Sequence, residues 1–94
     1  MIKTVKITVT GIVHGVFFRQ MVKENADALH LRGYVRNYKD GRAESIEVIA
    51  EGKNDNVQQL IEICRRGTPH SKIKEVKIQE MKNQDFKDFR ISYL

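Results

Sequence analysis

Two stretches with helical periodicity are separated by stretches that alternate every second residue, and this order leaves few folds open. Val5, Ile7 and Val9 alternate with polar residues, so residues 3–10 predict a strand with one buried face. Phe18, Val22, Ala26 and Leu29 then share one face of a helix over 18–30, with Gly33 following as a stop signal. Tyr34 to Tyr38 predicts a short strand and Asp40-Gly41 a hairpin turn; Ile46 and Val48 lie on one face of the returning strand, Ile49 on the other. Gly52-Lys53-Asn54-Asp55 reads as a loop carrying helix caps, and Val57, Leu60, Ile61 and Cys64 line a second helix closed by Gly67. Residues 73–81 add a strand through Ile73, Val76 and Ile78, and 87–93 a last short edge strand through Phe89 and Ile91. The resulting β-α-β-β-α-β order predicts an α+β, ferredoxin-like sandwich, with both single-striped helices on one face of an antiparallel sheet. A chain of 94 residues suits one domain over 1–94 with a single core. Many unrelated activities use such a fold, so function has to come from particular residues.

The residues that carry chemistry lie where the first strand gives way to the first helix, at Gly11-Ile12-Val13-His14-Gly15-Val16-Phe17-Phe18-Arg19. Glycines at 11 and 15 permit a tight loop, which can turn successive N–H groups inward as an anion-binding nest. The helix that follows opens with unpaired N–H groups and a positive dipole end, and Arg19 adds a planar fork matched to phosphate. The loop lacks the Gly-Lys-Ser/Thr ending of a P-loop and the spacing of a dinucleotide fingerprint. Taken alone, two glycines before a helix also describe an ordinary tight turn with a surface arginine.

A second motif, Gly33-Tyr34-Val35-Arg36-Asn37-Tyr38-Lys39-Asp40-Gly41, follows the helix. Loop and motif together, in this order and spacing, resemble the acylphosphatase family. The resemblance continues through Glu47 to Gly52, Arg65-Arg66-Gly67, the Pro69 to Val76 stretch and Phe86-x-x-Phe89-x-Ile91, so it spans nearly the whole chain. His14 stands where Gln is usual, Tyr34 where Trp is usual, and the stretch from Gly41 to Ile46 (Arg42-Ala43-Glu44-Ser45) is a few residues longer than the family's common turn. Arginine and asparagine are both present. The resemblance implies a small monomeric hydrolase that cleaves the carboxyl–phosphate bond of a small-molecule acyl phosphate, with no metal and no cofactor. It implies Arg19 and Asn37 as catalytic residues, and Val13, His14, Gly15, Val16, Phe17, Phe18 and Arg19 as the substrate-binding loop.

The residues themselves are compatible with that chemistry. No nucleophile stands beside a base, no carboxylate pair lies near the loop, and His14, His30 and His70 form no zinc-ligand spacing. Such a site suits a substrate whose leaving group departs unaided, as a carboxylate does. Phosphoryl transfer needs mainly positioning and electrostatic stabilisation, which loop N–H groups, Arg19 and a water held by the Asn37 amide can supply. Asn37 also has a purely local reading, as a residue favouring the turn before Asp40-Gly41. His14 and Arg36 read as spectators, Phe17 and Phe18 as core anchors, and Cys64 as a small core residue.

Composition narrows the alternatives. One cysteine excludes an internal disulfide and fits a reducing compartment. Met1-Ile2-Lys3 opens directly into a strand pattern and no stretch is long enough to span a bilayer, so the expectation is a cytoplasmic protein with no membrane partner. The net charge of +5 is spread along the chain rather than gathered in a block. RNA-recognition domains share the strand and helix order, and Arg32-Gly33-Tyr34 resembles the opening of one of their motifs. Val35 and Arg36 then stand where that motif needs a small residue and an aromatic, so a non-catalytic RNA- or anion-binding module is the secondary reading and nucleic acid is disfavoured as a partner.

Overall fold

The computed structural model describes residues 1–93, with Asp40 described through its backbone only. The chain runs β1 (Ile2–Ile12), α1 (Phe18–Ala28), β2 (Arg32–Asp40), β3 (Ala43–Lys53), α2 (Asn54–Arg66), β4 (Lys72–Met81) and β5 (Phe89–Ser92). The sheet order is β4-β1-β3-β2-β5. β1 pairs antiparallel with β3 and β4, and β2 antiparallel with β3. The expected ferredoxin-like α+β fold is present, but β5 runs parallel to β2, so the sheet is mixed.

Register explains the core. Val5, Ile7 and Val9 of β1 lie opposite Ala50, Val48 and Ile46 of β3, and all six are buried. Against this face pack Phe18, Val22 and Ala26 of α1 and Val57, Leu60, Ile61 and Cys64 of α2, joined by Phe89 from β5. β3 is central, so Ser45 to Gly52 are buried on both faces. Its second face carries Glu47, paired with Arg36 and with Lys6 at 3.4 Å. Cys64 is fully buried, and burial pushes its thiol up to about 12.

Several boundaries differ from the sequence expectation. α1 does not stop at Gly33. It ends at Ala28 with His30 in the left-handed region (φ 57°), His30 N–H donating to the Asp27 carbonyl and Leu31 N–H to the Ala26 carbonyl. These bonds form a Schellman motif that buries Leu31 against the core. Gly33 lies inside β2, where a Cβ would fall 1.9 Å from the Ile49 carbonyl oxygen. The hairpin turn is Gly41-Arg42, one residue later than expected, and Ala43 to Ser45 already belong to β3. No loop with side-chain caps precedes α2: β3 passes directly into it at Lys53, whose side chain makes no cap bond, and Asp55 in the first turn complements the helix dipole instead.

Candidate active site

Gly11, expected as one of the two loop glycines, belongs to β1. It sits at a register shift in the β1–β4 pairing, and a Cβ there would fall 2.0 Å from the Lys72 carbonyl oxygen. It serves strand packing. The loop proper is Val13 to Phe17, with Gly15 at φ 66° as its turn. It ends on Phe17, which caps α1 in the left-handed region at φ 61° and ψ 20°, a backbone conformation seldom taken by an aromatic residue. Phe18 is a core anchor as expected, whereas Phe17 is 78% exposed and anchors nothing.

Val13, Gly15, Phe17, Phe18, Arg19 and Asn37 line one cavity of about 220 Å³. The loop arrives from the end of β1, Arg19 from the first turn of α1, and Asn37 from β2 opposite Ile46, on the helix-covered face of the sheet. Gln20, Ile91 and Tyr93 complete the lining. His14 and Val16 belong to the same loop but do not line the cavity.

Three features of this cavity are chemical. Among the described residues, nothing accepts a hydrogen bond from the N–H groups of Gly15, Val16, Phe17 or Phe18, and α1 has neither a capping side chain nor an acidic residue in its first turn. That end of the helix therefore presents unpaired donors and a positive dipole. Arg19 has no carboxylate partner among the described residues; its guanidinium lies 4.9 Å from the centre of the Tyr93 ring, a cation–π contact that orients it without neutralising it. The Asn37 side-chain oxygen is buried and accepts no hydrogen bond from any described residue. A buried amide oxygen in that state is uncommon and calls for an external donor.

The loop is clamped from outside the cavity. Glu44 Oε1 accepts from the N–H groups of Val13 at 3.4 Å and His14 at 3.2 Å. His14 Nε2 lies 2.7 Å from the Ser45 carbonyl oxygen. On the other side, Thr68 Oγ1 donates to the Val16 carbonyl at 2.9 Å. The His14 N–H holds the Glu44 carboxyl below its ordinary range; burial opposes this, and the Val13 N–H, the His14 ring and Lys39 reinforce it. Among the described residues, no three His, Cys, Asp or Glu side chains converge as a metal site would require. Gln20, Glu44, Thr68, Ile91 and Tyr93 are the contributors that sequence reasoning does not reach.

The acylphosphatase family model matches residues 5–91. An acylphosphatase from Caldivirga maquilingensis is 40% identical over 90 residues, covering 95% of this chain and 93% of the relative. Among solved structures, an acylphosphatase from Coxiella burnetii superposes with a TM-score of 0.89 at 33% identity, over 97% of this chain and 93% of that one. The acylphosphatase of Bacillus subtilis gives 0.88 at 34% identity, over 99% and 100%.

Proposed function

The chain belongs to the acylphosphatase family and is an acylphosphatase; on that premise we propose how its own residues carry the reaction. The unpaired N–H groups of Gly15, Phe17 and Phe18 and the Arg19 guanidinium hold the phosphoryl oxygens of an acyl phosphate. Asn37 holds the attacking water through its amide oxygen. The water oxygen bonds to phosphorus, the bond from phosphorus to the acyl oxygen breaks, and the carboxylate leaves with the electron pair. The water proton passes to a phosphoryl oxygen, so no protein base is needed. Charge stabilisation comes from fixed donors, and we assign the step no metal ion and no cofactor.

The observation that carries this reading is the buried, unpartnered Asn37 oxygen in the same cavity as Arg19 and the loop donors. It explains why an asparagine stands on the apolar face of β2, opposite Ile46, where a turn-shaping role would not place it. The flanking Phe17, Ile91 and Tyr93 offer apolar contacts to the acyl group. We further read residues 1–94 as one domain acting as a monomer in the cytoplasm. Among the described residues, no helix is long and apolar enough to cross a membrane.

The test is hydrolysis of an aromatic acyl phosphate by the purified protein, with and without chelator and with rising inorganic phosphate. The expected result is turnover unaffected by chelator and inhibited competitively by phosphate. Activity lost to chelator and restored by magnesium or zinc would overturn the metal-free step. Purely noncompetitive inhibition would move the anion site elsewhere.

A further inference from the structure

We propose that Glu44 is a positioning residue for this reaction: by holding the N–H groups of Val13 and His14 it fixes the start of the loop, and so aims the donors that follow. The proposal rests on the reading of the loop as the phosphoryl site.

The geometry divides the loop in two. Val13 and His14 give their N–H groups to one carboxylate oxygen, and the N–H groups of Gly15 to Phe18 meet no acceptor among the described residues. Glu44 and His14 both lie outside the cavity lining, so the carboxylate sits behind the loop and does not occupy the anion's place. Its position follows from the hairpin. The turn at Gly41-Arg42 starts β3 at Ala43, which places Glu44 and Ser45 beside the loop, where one takes backbone N–H groups and the other the His14 ring. Thr68 holds Val16 from the opposite side, so the flexible glycine turn at Gly15 is fixed at both ends. A tight turn without such anchors would sample several orientations, and small misplacements in a phosphoryl site are costly.

A carboxylate this close to an anion site also repels the substrate, and that makes the proposal decisive to test. Removing Glu44 relieves repulsion, which favours anion binding, and loosens the loop, which opposes it. The proposal requires loosening to win. Glu44→Ala should lower kcat/KM on the order of tenfold and raise the phosphate inhibition constant. Glu44→Gln keeps an acceptor oxygen without the charge and should restore most of both. In an amide NMR titration with inorganic phosphate, the Gly15–Arg19 resonances of the Glu44→Ala protein should respond more weakly than those of the parent. Tighter phosphate binding in both variants would make Glu44 an electrostatic brake and overturn the proposal. So would unchanged kinetics, or a lower melting temperature with unchanged activity per folded molecule. Failure of the underlying reading looks different: the parent protein itself would show no phosphate response at residues 15–19.

Discussion

Arg19 shows how one side chain is kept available for an incoming anion. The Arg19 guanidinium carbon lies over the Tyr93 ring, 4.9 Å from its centre, and no described carboxylate competes for it. Lysine would keep the charge and lose the planar fork that makes the two-pronged contact, so Arg19→Lys should cost on the order of a hundredfold in kcat/KM. Steady-state kinetics on folded protein checks this, and near-parental turnover would remove Arg19 from the reaction. Asn37→Ala should lower kcat by a similar factor, about a hundredfold, while the phosphate inhibition constant stays nearly constant, because water placement belongs to the transition state. A variant that melts early yet turns over normally would reassign Asn37 to structure. Both residues are legible in the sequence because each lies in a short motif whose local spacing carries its meaning. Glu44, Ile91 and Tyr93 are not legible, since strand pairing positions them: the β2–β3 hairpin brings Glu44 to the back of the loop, and the parallel docking of β5 on β2 brings the other two to the cavity. Phe17 is misread as a core residue for a related reason. Apolar character places a side chain inside by default, and only the left-handed backbone at the loop's end turns this one out.

Element boundaries are less legible in the sequence than element types, and α1 shows why. Periodicity finds its apolar face, but its end is set by backbone geometry at His30, a residue with no strong stop signal. Gly33 has the character of a cap because glycine commonly is one; here it is needed so that β2 can approach Ile49. The same lesson holds at Lys53, where the strand-to-helix junction uses no side-chain cap although Asn54 and Asp55 are good cap formers. Strand direction is equally absent from the pattern, because Phe89–Ser92 alternates the same way whether β5 runs parallel or antiparallel. The Schellman turn yields a stability prediction. At φ 57° His30 bears the left-handed penalty that glycine avoids, offset in part by glycine's greater freedom when unfolded. His30→Gly should therefore stabilise the protein by about 0.5 kcal/mol, a rise of a few degrees in melting temperature. A thermal melt that shows a fall instead would mean that the His30 side chain contributes contacts of its own.

Over the whole molecule, Glu51 ties the last part of the chain to the sheet. Its carboxylate, 1% exposed on β3, accepts from the Thr4 hydroxyl and from the N–H groups of Gln84 and Phe86, in the connection between β4 and β5. Burial pushes this carboxyl up, but the Gln84 N–H, the Thr4 hydroxyl, the Phe86 N–H and Arg32 together outweigh it and hold it below its ordinary value. A carboxyl with a lowered folded-state pKa stabilises the fold fully above its unfolded value of about 4.3, and that contribution is lost as pH falls through the folded value. Glu51→Gln leaves one donor facing an amide group that cannot accept, so it should destabilise by about 2 kcal/mol at neutral pH. Melts of parent and variant at pH 7 and pH 3 check this: the gap in melting temperature should narrow in acid, and a gap of constant size would assign the effect to shape rather than charge. Cys64 has a consequence of another kind. Thiol reagents attack the thiolate, and this thiol is both sealed inside the core and held protonated far above neutral pH. Labelling must wait for the α2 face to leave the sheet, so the only sulfhydryl in the chain is a built-in clock for global opening, readable from alkylation rates without any engineered probe.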